Sequence, residues 1–151
     1  MNALMTAMVL WLSVHFGLPA TFEHPYVHFA TREDILLRRY KAFTPKRRQE
    51  VLAAYAGAAD SRVIAVYDES KRTILLPEGW SGSTPAELSI LLHELVHHLQ
   101  SAAGLRFECP AVSEKTAYEA QERWLGLFNL SLESEFQIDR FTLKVATTCA
   151  Y

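Results

Sequence analysis

Residues Leu91-Leu92-His93-Glu94-Leu95-Val96-His97-His98-Leu99-Gln100 place two imidazoles four positions apart, with a carboxylate directly after the first. On a helix, residues four apart lie one above the other, so His93 and His97 can share one metal ion. Glu94 is turned by about 100° from His93, which brings its carboxylate beside such an ion and within reach of a water there. Two ligands and a base within five residues suit metal-assisted hydrolysis.

A pattern this short also arises by chance, so the elements that would hold it must carry the argument. Thr84-Pro85-Ala86-Glu87 reads as a capping box with proline at the first helical position, which starts a helix at Pro85. Leu88, Leu91, Leu92, Leu95, Val96 and Leu99 form an apolar stripe, and Gly104 stops the helix after Ala103. The motif thus falls inside a helix of about five turns. Before it, Val63–Tyr67 and Thr73–Leu76 read as the strands of a hairpin, turning through Asp68–Arg72. Residues 77–83 then form a loop into the metal helix.

Further upstream, an uncharged first helix ends at Gly17, Tyr26–Ala30 reads as a strand, and Thr31 and Thr44-Pro45 begin two more helices, the second ending near Gly57. Downstream, Leu105–Pro110 is irregular and Val112–Leu127 is helical. One or two terminal helices carry Phe136, Ile138, Phe141, Leu143 and Val145.

A catalytic zinc takes three protein ligands and keeps a fourth position for water, so a further donor is required. On the helix after the motif, Glu114, Tyr118, Gln121 and Leu125 share one face, whereas Glu119 is turned about 140° from Glu114. Glu114 is the leading third ligand and Glu119 the reserve, with Glu119 and Glu122 expected to face solvent. The competing reading makes Glu114 an ordinary acidic residue favoured near a helix N-terminus, and the histidines incidental.

The His-Glu-x-x-His helix followed by a glutamate-bearing helix resembles the gluzincin metallopeptidases. Their pattern Glu-x-x-Ala followed by Asp or Asn is matched by Glu114-Lys115-Thr116-Ala117, while Tyr118 stands at the last place. The resemblance implies zinc held by His93, His97 and Glu114, with Glu94 as general base. It also implies a hydrogen bond from the Tyr118 hydroxyl to a ligand histidine, and a preceding edge strand able to pair with an extended peptide. It covers about residues 63 to 125. The combination of Leu-Pro-Glu-Gly-Trp, the histidine run, Glu-Cys-Pro and Tyr-Glu-Ala-Gln-Glu-Arg-Trp-Leu is similar to an uncharacterised bacterial family of small domains, over nearly the whole chain.

Composition bounds the rest. At 151 residues, with 50% hydrophobic and 21% charged, the chain suits a single domain, residues 1–151. A net charge of -2 and no basic stripe argue against nucleic acid. Arg38-Arg39 and Lys46-Arg47-Arg48 read as solvated faces, or as a small anion-binding patch. Residues 1–17 are too short to span a bilayer; they read as a buried helix, with a signal-like segment as the alternative.

Cys109 and Cys149 are reduced core residues in a cytoplasmic protein, the default placement. In an exported one they form a disulfide adding roughly 4 kcal/mol. Metal ligation by Cys109 is the lesser reading. His98 is expected to support a ligand or lie at the surface, and His15, His24 and His28 to stand apart. Trp80 and Trp124 are expected to pack loops and core, with Trp80 at a substrate pocket as the alternative.

The expectation is an α+β, zincin-like minimal domain, mostly helical, with a small and mostly antiparallel sheet against the metal helix. Its function would be hydrolysis of peptide bonds through a water activated by one zinc ion, on a peptide or protein substrate. The alternatives are a catalytically silent metal-binding module for structure or protein interaction, and a self-processing or partner-dependent protease whose cleft is completed by another chain.

Overall fold

The computed structural model describes residues 1–56 and 65–150. Ten elements follow in order: α1 (Asn2–Phe16), β1 (Tyr26–Ala30), α2 (Arg32–Arg39), α3 (Pro45–Ala56), β2 (Val66–Asp68), β3 (Thr73–Pro77), α4 (Pro85–Ala102), α5 (Pro110–Gly126), α6 (Leu132–Phe136) and α7 (Arg140–Ala146). The fold is α+β, with far more helix than strand.

The axis of the molecule is α4. The Thr84 hydroxyl accepts the Glu87 backbone N–H and Pro85 opens the helix, as their positions predict. The capping box is only half made, because the Glu87 carboxylate turns instead to Ser81 and Ser83 and fixes the entering loop. Leu91, Leu92, Leu95, Val96 and Leu99 are fully buried, and so are neighbours on the other faces of the helix. Helix α1 covers one side through Met5, Met8, Val9 and Leu12, spaced at helical periodicity, so the uncharged first segment is a core helix here. It meets α5 where Trp11 packs edge-on against Trp124, 5.7 Å between ring centres.

A three-stranded sheet in the order β1-β3-β2 covers another side of α4. Strands β2 and β3 form the expected hairpin, through a 3-10 turn at Glu69–Lys71 that ends in left-handed Arg72, φ 48°. The expected first strand from Val63 begins instead at Val66, with Val63 and Ile64 outside the described residues. The sheet is mixed rather than mostly antiparallel, because β1 runs parallel to β3, from Tyr26 opposite Thr73 to Ala30 opposite Pro77. A parallel neighbour requires a crossover, and α2 and α3 supply it.

Besides the packing of α2 on the sheet, an ion pair ties the crossover to β2. Buried Asp68 at the end of β2 pairs with Arg38 of α2 at 2.8 Å, and Lys41 stands 3.9 Å away. Burial pushes the Asp68 carboxyl up, but hydrogen bonds from Ser70 and the charges of Arg38 and Lys41 outweigh it and hold it below its ordinary range. With Arg38 engaged there, Arg39 is left for the cleft beside α4.

Candidate metal centre

Three donors converge between α4 and α5. Oε2 of Glu114 lies 2.9 Å from Nε2 of His93, Oε1 of Glu114 lies 3.3 Å from Nε2 of His97, and the two Nε2 atoms are 3.3 Å apart. One ligand atom from each residue falls within 4.8 Å of the others. Glu114 reaches them from the first turns of α5, while Glu119 and Glu122 face solvent. The Glu122 carboxylate instead accepts the Leu132 N–H at 2.6 Å and holds α6 to α5.

The tautomer of each histidine follows from its hydrogen-bond chain. The Ser89 hydroxyl donates to the Ala86 carbonyl at 2.7 Å, so its oxygen accepts from Nε2 of Gln121 at 3.1 Å. That orients the Gln121 amide, whose Oε1 then accepts Nδ1–H of His93 at 3.0 Å. On the other side, Nε2 of Gln100 donates to the Ser113 carbonyl at 3.0 Å, and Oε1 of Gln100 accepts Nδ1–H of His97 at 3.1 Å. In its neutral form each ring therefore keeps its proton on Nδ1 and leaves Nε2 free for a cation at the shared point, as metal-binding histidines require. Two oriented imidazoles and a carboxylate are a donor set that fits zinc.

Charge is balanced within the cluster. Burial pushes the Glu114 carboxyl up, but its bonds to His93 and His97 outweigh this and hold it far below the carboxylate range. Burial pulls His97 down, but Glu114 and the charge of Glu94 raise it above its ordinary value. Both shifts favour a proton shared between His97 and the carboxylates. An arriving cation must displace it, so binding strengthens as pH rises.

Glu94 is 5% exposed and sits where two cavities meet. One, of about 190 Å³, is lined by Leu36, Ile90, Tyr118, Phe136 and Ile138 among others. The second, of about 310 Å³, holds His97 and Glu114 and opens between Tyr67, Leu105 and Phe107. His93, Glu94, Arg39 and Ala65 border both, so the two are halves of one cleft divided at the motif.

Arg39 is the cleft residue to which sequence reasoning gave no place in the site. Burial of its guanidinium opposes the charge, yet Glu94 and Glu114, then Tyr118 and Tyr40, keep its pKa raised, although the residue as a whole stays exposed in the cleft. It is also within hydrogen-bonding reach of the Tyr118 hydroxyl. Nothing in Arg38-Arg39 distinguished the residue paired with Asp68 from the one facing Glu94.

Other expectations divide. Tyr118 packs its ring edge-on against His93, 4.7 Å between centres, and the hydrogen bond expected of it is made by Gln121, three residues on. Gln121 had been placed on the right face without a role. His98 is buried, 2% exposed, rather than at the surface; its Nε2–H donates to the Glu23 carbonyl at 2.9 Å and its Nδ1 accepts from the Tyr67 hydroxyl at 3.1 Å. Burial pulls its pKa down, which suits a neutral ring bracing α4 against β2 and the approach to β1. His24 bonds Thr6, His15 stacks on Trp11, and His28 is exposed. Trp80 donates to the Glu87 carbonyl and packs near Phe29, away from the described cleft lining. Trp124 packs in the core. Cys109 is not a metal donor; it is bonded to Cys149.

No helix among the described residues is long and apolar enough to cross a membrane. Neither a curated protein nor a solved structure matches the chain. A family model does, over residues 1–151, from α1 through the metal cluster to the end of the chain: the chain belongs to the family described as Domain of unknown function (DUF6647).

Proposed function

We propose that this chain is a zinc-dependent peptidase of zincin-like fold and gluzincin type. The observation that carries the reading is the pair of amide relays, Ser89-Gln121-His93 and Ser113-Gln100-His97, which turn two Nε2 lone pairs and the Glu114 carboxylate onto one point beside Glu94. A helix with incidental histidines has no need of both relays.

In this reading His93, His97 and Glu114 hold one zinc ion, which supplies Lewis acidity to water and to a peptide carbonyl. Glu94, at the junction of the two cleft halves, takes a proton from the attacking water and returns it to the leaving amine. Arg39, with Tyr118 beside it, is the donor placed across the cleft from Glu94 to steady negative charge on the carbonyl oxygen. The substrate chain lies across the junction, with β2 as the nearest strand. The Cys109–Cys149 bridge fits an oxidising compartment and favours export over the cytoplasmic default.

The test is zinc stoichiometry and cleavage of a mixed peptide library by wild type and Glu94→Gln. Loss of about 100-fold or more in cleavage, with zinc retained, is the expected result for removing a general base. Zinc retention with no cleavage by wild type would overturn the enzyme reading in favour of a metal-binding module. Absence of zinc from both proteins would overturn the metal centre itself.

A further inference from the structure

The smaller half of the cleft has one wall supplied by the last helices of the chain. Phe136, Ile138, Thr142 and Ala146 line it from α6, α7 and the segment between them. Helix α7 has seven residues and none of them is buried, while Phe141 and Val145 are 76% and 62% exposed. A helix this short has negligible stability of its own, so what holds it must come from outside it. Ile138 and Leu143 rest partly buried on the core, and beyond α7 the chain is tied covalently by Cys149 to Cys109. Cys109 is the N-cap of α5, the helix that carries Glu114. The bridge therefore joins the end of the cleft wall to the start of the ligand-bearing helix.

Both cysteines are partly exposed. Closing a loop that spans 40 positions restrains the segment chiefly through chain entropy, a restraint that vanishes when the bond opens.

We infer that residues 137–149 are a disulfide-latched strap, and that the redox state of Cys109–Cys149 sets access to the apolar half of the cleft. The inference rests on the reading of that cleft as the substrate site. Opening needs a dithiol reductant: one thiolate attacks a bridge sulfur and displaces the other cysteine, and the second thiol resolves the mixed disulfide. Two electrons pass to the protein, two thiols form on Cys109 and Cys149, and the reductant leaves as its own disulfide. Latched, this half is a pocket of about 190 Å³ against Leu36 and Ile90, with room for one side chain of modest size. Released, α7 swings away and the pocket opens to larger groups.

The experiment compares the full oxidised chain with C109S/C149S by hydrogen exchange, and by nitration of Tyr118 with tetranitromethane read by mass spectrometry. Amide exchange over residues 140–147 is expected to rise by about tenfold or more, with α4 and the C-terminal half of α5 unchanged, as for a local opening. Tyr118 nitration is expected to rise about threefold or more as the wall departs. Treating wild type with a dithiol should reproduce both changes, and reoxidation should reverse them. Unchanged exchange in residues 140–147, or unchanged nitration, would overturn the latch. A rise that extends through α4 would also overturn it, since the bridge would then be holding the whole fold. Neither readout needs zinc or cleavage, so the latch and the peptidase reading can fail separately.

Discussion

Gln121 sits at the centre of a chain in which each proton has one place to go. The Ala86 carbonyl takes the Ser89 proton, Ser89 takes one from Gln121, and Gln121 takes the Nδ1 proton of His93. Replacing Gln121 with Leu keeps the volume nearly constant but frees the His93 ring to turn or change tautomer. Zinc affinity, measured by competition with a chromophoric chelator, is expected to fall by about 10- to 100-fold, the usual cost of losing a partner to a ligand histidine. An affinity equal to wild type would mean that the relay does not orient the ligand. At this scale the sequence was half legible. The spacing of His93, Glu94 and His97 declares itself, because four residues on a helix bring two rings together whatever the rest of the fold does. Glu114 followed from the face it shares with Leu125. The roles of Gln100 and Gln121 did not, because glutamine has no preferred chemistry until its partners across the interface are known. Arg39 was hidden for the same reason.

Helices and strands divide along similar lines. Helix α4 was readable from end to end, since Thr84, Pro85 and the leucine stripe act locally. The hairpin of β2 and β3 was readable because its two runs flank a short polar turn. The placement of β1 was not, since pairing between distant segments leaves no periodic mark on either. The same holds for the junction of α2 with β2, which rests on Asp68, an expected turn residue that proves to be buried. Its carboxyl is held below the ordinary range in the folded protein, so the stability it contributes is present above that range and is lost as pH falls through the folded value. Asp68→Asn is expected to lower unfolding free energy by about 1 to 3 kcal/mol at neutral pH, because Arg38 loses its charged partner in a partly buried setting. The deficit measured by urea titration should shrink as pH drops below the ordinary aspartate range. A deficit that stays constant there would separate the loss from the ion pair.

Taken whole, the proposed metal centre would couple ion binding to the stability of the molecule. Its candidate ligands come from two helices joined by the irregular segment 103–109, so an ion shared between them would favour the folded chain over the unfolded one. With free zinc at about 1,000 times its dissociation constant, stabilisation of about 4 kcal/mol is expected, and chelation should remove it. Calorimetry with and without a chelator checks this; a melting temperature indifferent to zinc would place the cluster outside metal binding. The α+β class and the dominance of helix were legible from composition and periodicity, while the closing of the cleft by α6 and α7 was not, because their apolar residues pointed only to packing.

The parallel pairing of β1 with β3 also has a consequence for how the chain is made. Tyr26 finds its place only when Thr73 and its neighbours are available, about 50 residues later, which at ribosomal speeds of about 5 to 20 residues per second is a wait of a few seconds. Through that interval α1 and β1 have emerged with Met5, Met8, Leu12 and Val27 still lacking the surface they pack on. The two strands of the hairpin, by contrast, are near neighbours in sequence, so the strand made first waits longest for its partner. The nascent N-terminal third, rather than α4, therefore carries apolar surface uncovered for longest.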